Sequence, residues 1–179
     1  MRRILFIVSL FLFFSAIEAA SLETPEYLRK NHSQATCRVE DSININATPE
    51  KVSQYMWNVS NLPSYIPVSD VKILESGGNI MRLRHKLIVA GTTIELVPEL
   101  KKEEKDHSIA YKSIEGAEIE GAWVFEPTEK GTRLVNVLKY NPPESIFGRI
   151  LNWLKLEKEM KKICNESLQR LKHILEAMA

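Results

Sequence analysis

Seven short runs of alternating apolar and polar residues occupy the chain between residues 38 and 140, and this pattern restricts the fold more than any other feature. In the run 80–89, Met81, Leu83, His85, Leu87 and Val89 oppose Arg82, Arg84 and Lys86. Successive side chains of a strand point to opposite faces, so the run reads as a strand with one face buried. The run 38–46 sets Val39, Asp41, Ile43 and Ile45 against Glu40, Ser42 and Asn44. Further runs cover 71–75, 92–100, 107–114, 119–125 and 132–140. From residue 71 onward the gaps are a few residues long and carry turn formers such as Gly77-Gly78-Asn79, Gly91 and Lys130-Gly131. Parallel neighbours need a crossover of about a dozen residues or more, so these strands form an antiparallel meander.

Helices bracket the meander. Thr48-Pro49-Glu50 supplies a hydroxyl N-cap, a proline at the first helical position and a carboxylate near the positive helix end. The helix is expected to run to about Trp57, with Val52, Tyr55 and Met56 towards the core. Asn61-Leu62-Pro63 and Ile66-Pro67 leave room for at most a short second helix. Asn141-Pro142-Pro143 ends the sheet, and a long helix is expected from about Glu144. Its apolar stripe is Ile146, Ile150, Trp153, Met160, Cys164, Leu168, Leu171, Leu175 and Met178. Lys155, Lys158, Lys162 and Glu166 lie on or near the other side and read as a solvated surface. The expected fold class is α+β: a curved seven-stranded antiparallel sheet whose apolar face is covered by the C-terminal helix. One helix is narrower than a concave sheet, so the two leave a gap suited to a small apolar molecule.

The N-terminus is of another kind. Arg2 and Arg3 precede an apolar run from Ile4 to Phe14, followed by Ser15, Ala16, Ala19 and Ala20. This is the order of a secretory signal peptide, and the expected organisation is a leader at 1–20, a loose arm at 21–37 and one domain at 38–179. An uncleaved anchor is the alternative, but the apolar run falls short of the ~20 residues of a membrane span. The expected location is therefore secreted or periplasmic. Lys and Arg total 24 and Asp and Glu 23; cleavage after Ala19 removes Arg2, Arg3 and Glu18 and leaves the two signs equal. A neutral domain lacks the basic excess of nucleic-acid binders, so no nucleic-acid partner is expected, and a membrane only transiently or as a source of ligand.

Candidate site residues follow from the inward positions. The bulky ones on several strands and on the first half of the long helix are Leu83, His85, Leu96, Tyr111, Trp123, Leu138, Ile150 and Trp153, the expected lining of a pocket between sheet and helix. His85 is either a core histidine bonded to a neighbour or a polar anchor or proton donor for a ligand. Tyr111 and Tyr140 read as pocket-lining residues whose hydroxyls need partners. Asp41 reads as a solvated strand-end residue or a pocket acid, and Trp123 and Phe125 as core aromatics. His32, His85, His107 and His173 are scattered, with no His-x-x-x-His or Cys-x-x-Cys, so no metal is expected. There is no glycine-rich phosphate loop and no Gly-x-Ser-x-Gly elbow. No cofactor and no catalytic residue set is implied. The sequons at Asn31, Asn46, Asn58 and Asn165 are of a length that arises by chance.

Ile45-Asn46-Ala47-Thr48-Pro49-Glu50-Lys51-Val52, the segment 58–67 (NVSNLPSYIP) and Gly131-Thr132-Arg133-Leu134 resemble the START-like, polyketide cyclase/dehydrase (SRPBCC) superfamily, nearest in look to coenzyme-Q-binding START proteins. The first segment is similar to that group's first strand entering its first helix. The resemblance spans roughly residues 38–177 and implies the helix-grip fold with a cavity for a hydrophobic ligand, not a reaction. Members of that group are usually cytosolic or organellar, and the leader sets this chain apart. The expected function is an exported carrier of a lipid, quinone or polyketide-like molecule. The alternatives are a cyclase or dehydratase moving protons through His85, Tyr111 or Asp41, and a structural domain whose cavity is filled by its own side chains. In a helix-grip arrangement the later half of the last helix approaches the first strand. Cys37 and Cys164, the only cysteines of an exported chain, are accordingly expected to form a disulfide.

Overall fold

A computed structural model describes residues 37–105, 107–141 and 153–178. The expected leader, the arm up to residue 36 and the helix start near Glu144 lie outside the described residues. The elements are β1 (Cys37–Ile45), α1 (Pro49–Trp57), a 3-10 turn (Val59–Asn61), α2 (Leu62–Tyr65), β2 (Val68–Gly77), β3 (Ile80–Val89), β4 (Thr92–Glu103), β5 (Ser108–Gly116), β6 (Glu118–Thr128), β7 (Gly131–Asn141) and α3 (Trp153–Ala177). One seven-stranded sheet has the order β1-β7-β6-β5-β4-β3-β2, and every pair is antiparallel. The meander is therefore continuous from β2 to β7, and only β1 reaches its place by returning beside the last strand.

The alternating runs behave as their chemistry dictates. Along β3, Met81, Leu83, His85, Leu87 and Val89 are all buried, while the residues between them are half-buried or exposed. The turn from β3 to β4 places Ala90 and Gly91 at φ 49° and 76°, the pair of positive angles that a tight two-residue hairpin requires. Thr48 Oγ1 accepts from Lys51 N at 3.4 Å and caps α1, whose Val52 and Met56 face the core.

Four features differ from expectation. The strand expected at 71–75 spans Val68–Gly77. Its pairing with β3 shifts register between Ser69 and Lys72 and again between Ile73 and Glu75. Bulges shift which side chains face inward, so the period-two signal fades. The strand expected at 92–100 continues to Glu103, and the register shift at Val97/Pro98 lets Leu96, Val97 and Pro98 all be buried in sequence. The alternation along β6 sets Ile119, Gly121, Trp123 and Phe125 against Glu118, Glu120 and Glu126, but the glutamate side is not simply polar. Ala122 and Val124 sit across from Val137 and Val135 and form a second buried apolar cluster, with Glu120 also buried and 3.5 Å from Lys139. Finally, Met178 leaves the helix stripe and is 58% exposed, because α3 ends at Ala177.

Helix α3 lies along the inner face, mainly over β1, with further contacts to β3 and α2. Its buried stripe is Leu156, Met160, Cys164, Leu168, Leu171 and Leu175. Cross-ties fix its position beside β1. Asn165 Nδ2 donates to Asp41 Oδ2 at 3.1 Å, Lys172 Nζ to the Asn44 carbonyl at 2.5 Å, and the Asn46 amide to Glu176 Oε1 at 2.9 Å. Asp41 thus lies mid-strand, not at a strand end, and is held by the helix. On the solvent side of β2–β4, Arg82 bridges Glu75 and Glu99, each at 2.8 Å, and Lys86 meets Asp70 at 2.7 Å. Exposed pairs of this kind contribute about 0–1 kcal/mol each, so the inner apolar face holds the sheet together. No described helix is long and apolar enough to cross a membrane.

Candidate ligand cavity

Because α3 packs chiefly against the β1 edge, the opposite half of the concave sheet is not filled by helix side chains. The curl from β3 to β7, closed by α2, surrounds a cavity of about 130 Å³. Leu83, His85, Leu96, Tyr111, Trp123 and Leu138 all line it. They come together because each is an inward residue of a neighbouring strand: His85 pairs with Leu96 across β3/β4, and Trp123 with Asn136 across β6/β7. Ile150 lies outside the described residues, as does the side chain of Trp153.

Sequence reasoning missed part of the lining. Tyr65 and Leu62 reach the cavity because α2 folds back over the sheet mouth, and Met160, Ser167 and Leu171 arrive from α3. Asn136 was legible as an inward polar residue among Leu134, Leu138 and Tyr140; the segment 58–67 signalled α2 but not the direction of Tyr65. Tyr140 does not line the cavity, contrary to expectation, and Asp41 does not either, which removes its alternative reading as a pocket acid. Tyr140 is buried against Cys37, its cross-strand partner.

Part of the polar chemistry inside is already paired. Tyr111 Oη donates towards Asn136 Oδ1 at 3.3 Å and towards the Val137 carbonyl at 3.2 Å. Its ring packs on Trp123 with centroids 4.6 Å apart. Gly121 makes this possible, since a Cβ there would collide with the Tyr111 phenol and the Val137 carbonyl. His85 is different. Burial, with no acidic partner, pushes its pKa from 6.5 down to about 4, so the imidazole is neutral at ordinary pH. Burial also raises the Tyr65 phenol well above its usual value. The Cys164 thiol is pushed up to about 12, first by burial and then by the Asp41 carboxylate. Among the described residues no cluster of three or more His, Cys, Asp or Glu converges.

The expected disulfide is not formed: Cys37 and Cys164 are separate buried thiols. The reason is their level in the sheet. Cys37 pairs with Tyr140 at the start of β1, whereas Cys164 sits beside Asn136, whose cross-strand partner is Asp41. These levels lie four residues apart along β1, so Cys37 meets Tyr140 and the Glu157/Lys161 turn of α3 while Cys164 meets Asn136.

Residues 36–176 match the family described as polyketide cyclase / dehydrase and lipid transport. The chain belongs to this family. The polyketide cyclase/dehydrase fold is shared by solved structures. A protein of Thermus thermophilus is 27% identical with a TM-score of 0.71, over 80% of this chain and 99% of that one. The Zhui aromatase/cyclase of a Streptomyces species is 19% identical with a TM-score of 0.68, over 78% and 93%. A START superfamily protein of Mycobacterium smegmatis is 14% identical with a TM-score of 0.65, over 79% and 99%. The helix-grip, START-like architecture expected from the sequence is the one this polyketide cyclase/dehydrase family member has. No curated protein matches the sequence.

Proposed function

We propose that this chain binds and carries a small apolar molecule in the cavity between the sheet and α3, in the compartment reached through the leader at 1–20, with a membrane as a source of ligand. The observation that carries this reading is the cavity itself: about 130 Å³ of unfilled space walled by Leu83, Leu87, Leu96, Leu138 and Leu168 among other apolar side chains. A ligand that removes roughly 200 Å² of apolar surface from water gains about 5 kcal/mol before ordering costs. Cyclase or dehydratase chemistry calls for a group that exchanges a proton near neutral pH, and His85, held at about 4, is poorly placed to do so. The export part of the reading rests on Arg2, Arg3, the apolar run from Ile4 to Phe14 and the small residues after it.

Propylbenzene is a suitable neutral probe, with binding read by ligand-observed NMR. Leu83→Trp and Leu96→Trp should each abolish its binding while circular dichroism and cooperative unfolding are retained. Unchanged binding in a folded variant refutes the cavity as the site.

A further inference from the structure

Three buried polar atoms at the cavity have no hydrogen-bond partner among the described residues: Tyr65 Oη, His85 Nδ1 and Ser167 Oγ. Tyr65 is only 1% exposed and His85 8%. They come from three separate elements, α2, β3 and α3. A buried polar group left without a partner costs about 1–3 kcal/mol, and in native proteins such groups are few. Tyr111 and Asn136, which line the same space, satisfy each other. The cavity thus contains both settled polar groups and groups that lack a partner, and the three without one differ in sequence, element and chemistry but share one empty space.

The described lining contains no Asp, Glu, Lys or Arg. An ionised ligand group would lose its hydration and meet only uncharged polar groups: hydroxyls, an amide, a thiol, an indole N–H and a neutral imidazole. Burying an ion without a countercharge costs several kcal/mol, whereas a hydroxyl or carbonyl oxygen is matched by the groups present. The volume also bears on the choice: about 130 Å³ is of the same order as the ~150 Å³ apolar cavity that admits benzene, so the space is on the scale of a single ring, and a substituent on that ring needs the side chains around it to give.

We infer that the cavity selects an uncharged molecule bearing a hydroxyl or carbonyl oxygen, which Tyr65, His85 and Ser167 hydrogen-bond, and excludes an ionised carboxylate of the same size. This rests on the reading of the cavity as a ligand site. Tyr65 donates to a ligand oxygen, the His85 Nδ1 position accepts from or donates to a hydroxyl according to its tautomer, and Ser167 serves either way.

The test uses the full chain and three probes of equal heavy-atom count at pH 7: propylbenzene, 2-phenylethanol and benzoate. Propylbenzene and 2-phenylethanol should compete for one site, and benzoate should bind at least about 50-fold more weakly than 2-phenylethanol, given the cost of an uncompensated ion. Tyr65→Phe and Ser167→Ala should each lower the affinity for 2-phenylethanol relative to propylbenzene about 5-fold, as expected for one lost hydrogen bond. Benzoate binding as tightly as the alcohol overturns the inference on the unmodified protein alone. So does an unchanged alcohol-to-hydrocarbon ratio in both folded variants. In either case retained propylbenzene binding leaves the carrier reading standing. Failure of all three probes to bind the folded protein removes the ligand site itself.

Discussion

Acidification should destabilise this protein through His85, by an amount the structure allows to be worked out. In the folded chain the imidazole is held at about 4 by burial, against 6.5 when solvated. The unfolded chain therefore binds a proton more readily between these two pH values. A group with a lowered histidine pKa costs nothing above pH 6.5, and stability falls as pH drops towards the folded value. With those two pKa values the loss is about 2 kcal/mol at pH 5 and about 3 kcal/mol at pH 4. This is a substantial fraction of the ~5–15 kcal/mol that holds a domain together. The comparison protein is His85→Leu, which removes both the titration and the Nδ1 atom that lacks a partner. At pH 7.5 this variant should be as stable as the native chain or more so by about 1 kcal/mol, since an unsatisfied buried polar atom disappears. Urea unfolding at pH 7.5 and pH 5, with the slope held common, measures the difference. The native chain should lose about 2 kcal/mol more than His85→Leu over that interval. Glu50, Asp70 and Glu176 have lowered pKa values from hydrogen bonds and nearby charge. Their contributions are present above the ordinary carboxylate range and fade at lower pH. They act in both proteins and cancel in the difference. Equal losses in the two proteins would show that His85 is solvated or partnered in solution, and the argument for a neutral cavity histidine would fail.

Other expectations follow from single contacts. Gly121→Ala should destabilise by roughly 3 kcal/mol and shift the Trp123 fluorescence, because the new methyl displaces the Tyr111 ring that stacks on Trp123; a variant with native stability and spectrum contradicts the close approach. Thr132→Val should cost about 1 kcal/mol in denaturant unfolding, since Thr132 Oγ1 donates at 2.6 Å to the Ala47 carbonyl in a buried position and ties the start of β7 to the link between β1 and α1. Both cysteines should resist a thiol reagent in the folded protein and react on unfolding without any reductant, as burial raises both thiols; a chain that shows thiols only after reduction refutes the separation of Cys37 from Cys164.

How far the sequence could be read depended on whether a property was local or shared between distant segments. The strict alternation of Met81, Leu83, His85, Leu87 and Val89 defines an inward face within ten residues, and the short turns on either side leave only antiparallel neighbours. The meander from β2 to β7, the covering helix and six cavity-lining residues were therefore legible in the sequence, since they require only the strand and helix periods and the turn lengths, whereas the place of β1 beside β7 depends on a long-range return that no turn length fixes. Where a bulge interrupts that period, as at Ser69/Lys72 and Val97/Pro98, the sequence no longer says which side chain points inward. The distance between Cys37 and Cys164 depends on how far α3 is displaced along β1, which the ties from Asp41 to Asn165 and from Asn44 to Lys172 decide. The direction of Tyr65 depends on α2 folding back across the sheet. Whether His85, Tyr65 and Ser167 find partners depends on what three separate elements bring to the same space. The pattern along the chain determined which face of each strand is apolar, because that is a property of neighbouring residues. Only tertiary packing decided which polar groups inside were left without partners, because hydrogen bonding and hydration depend on every element that meets at the cavity.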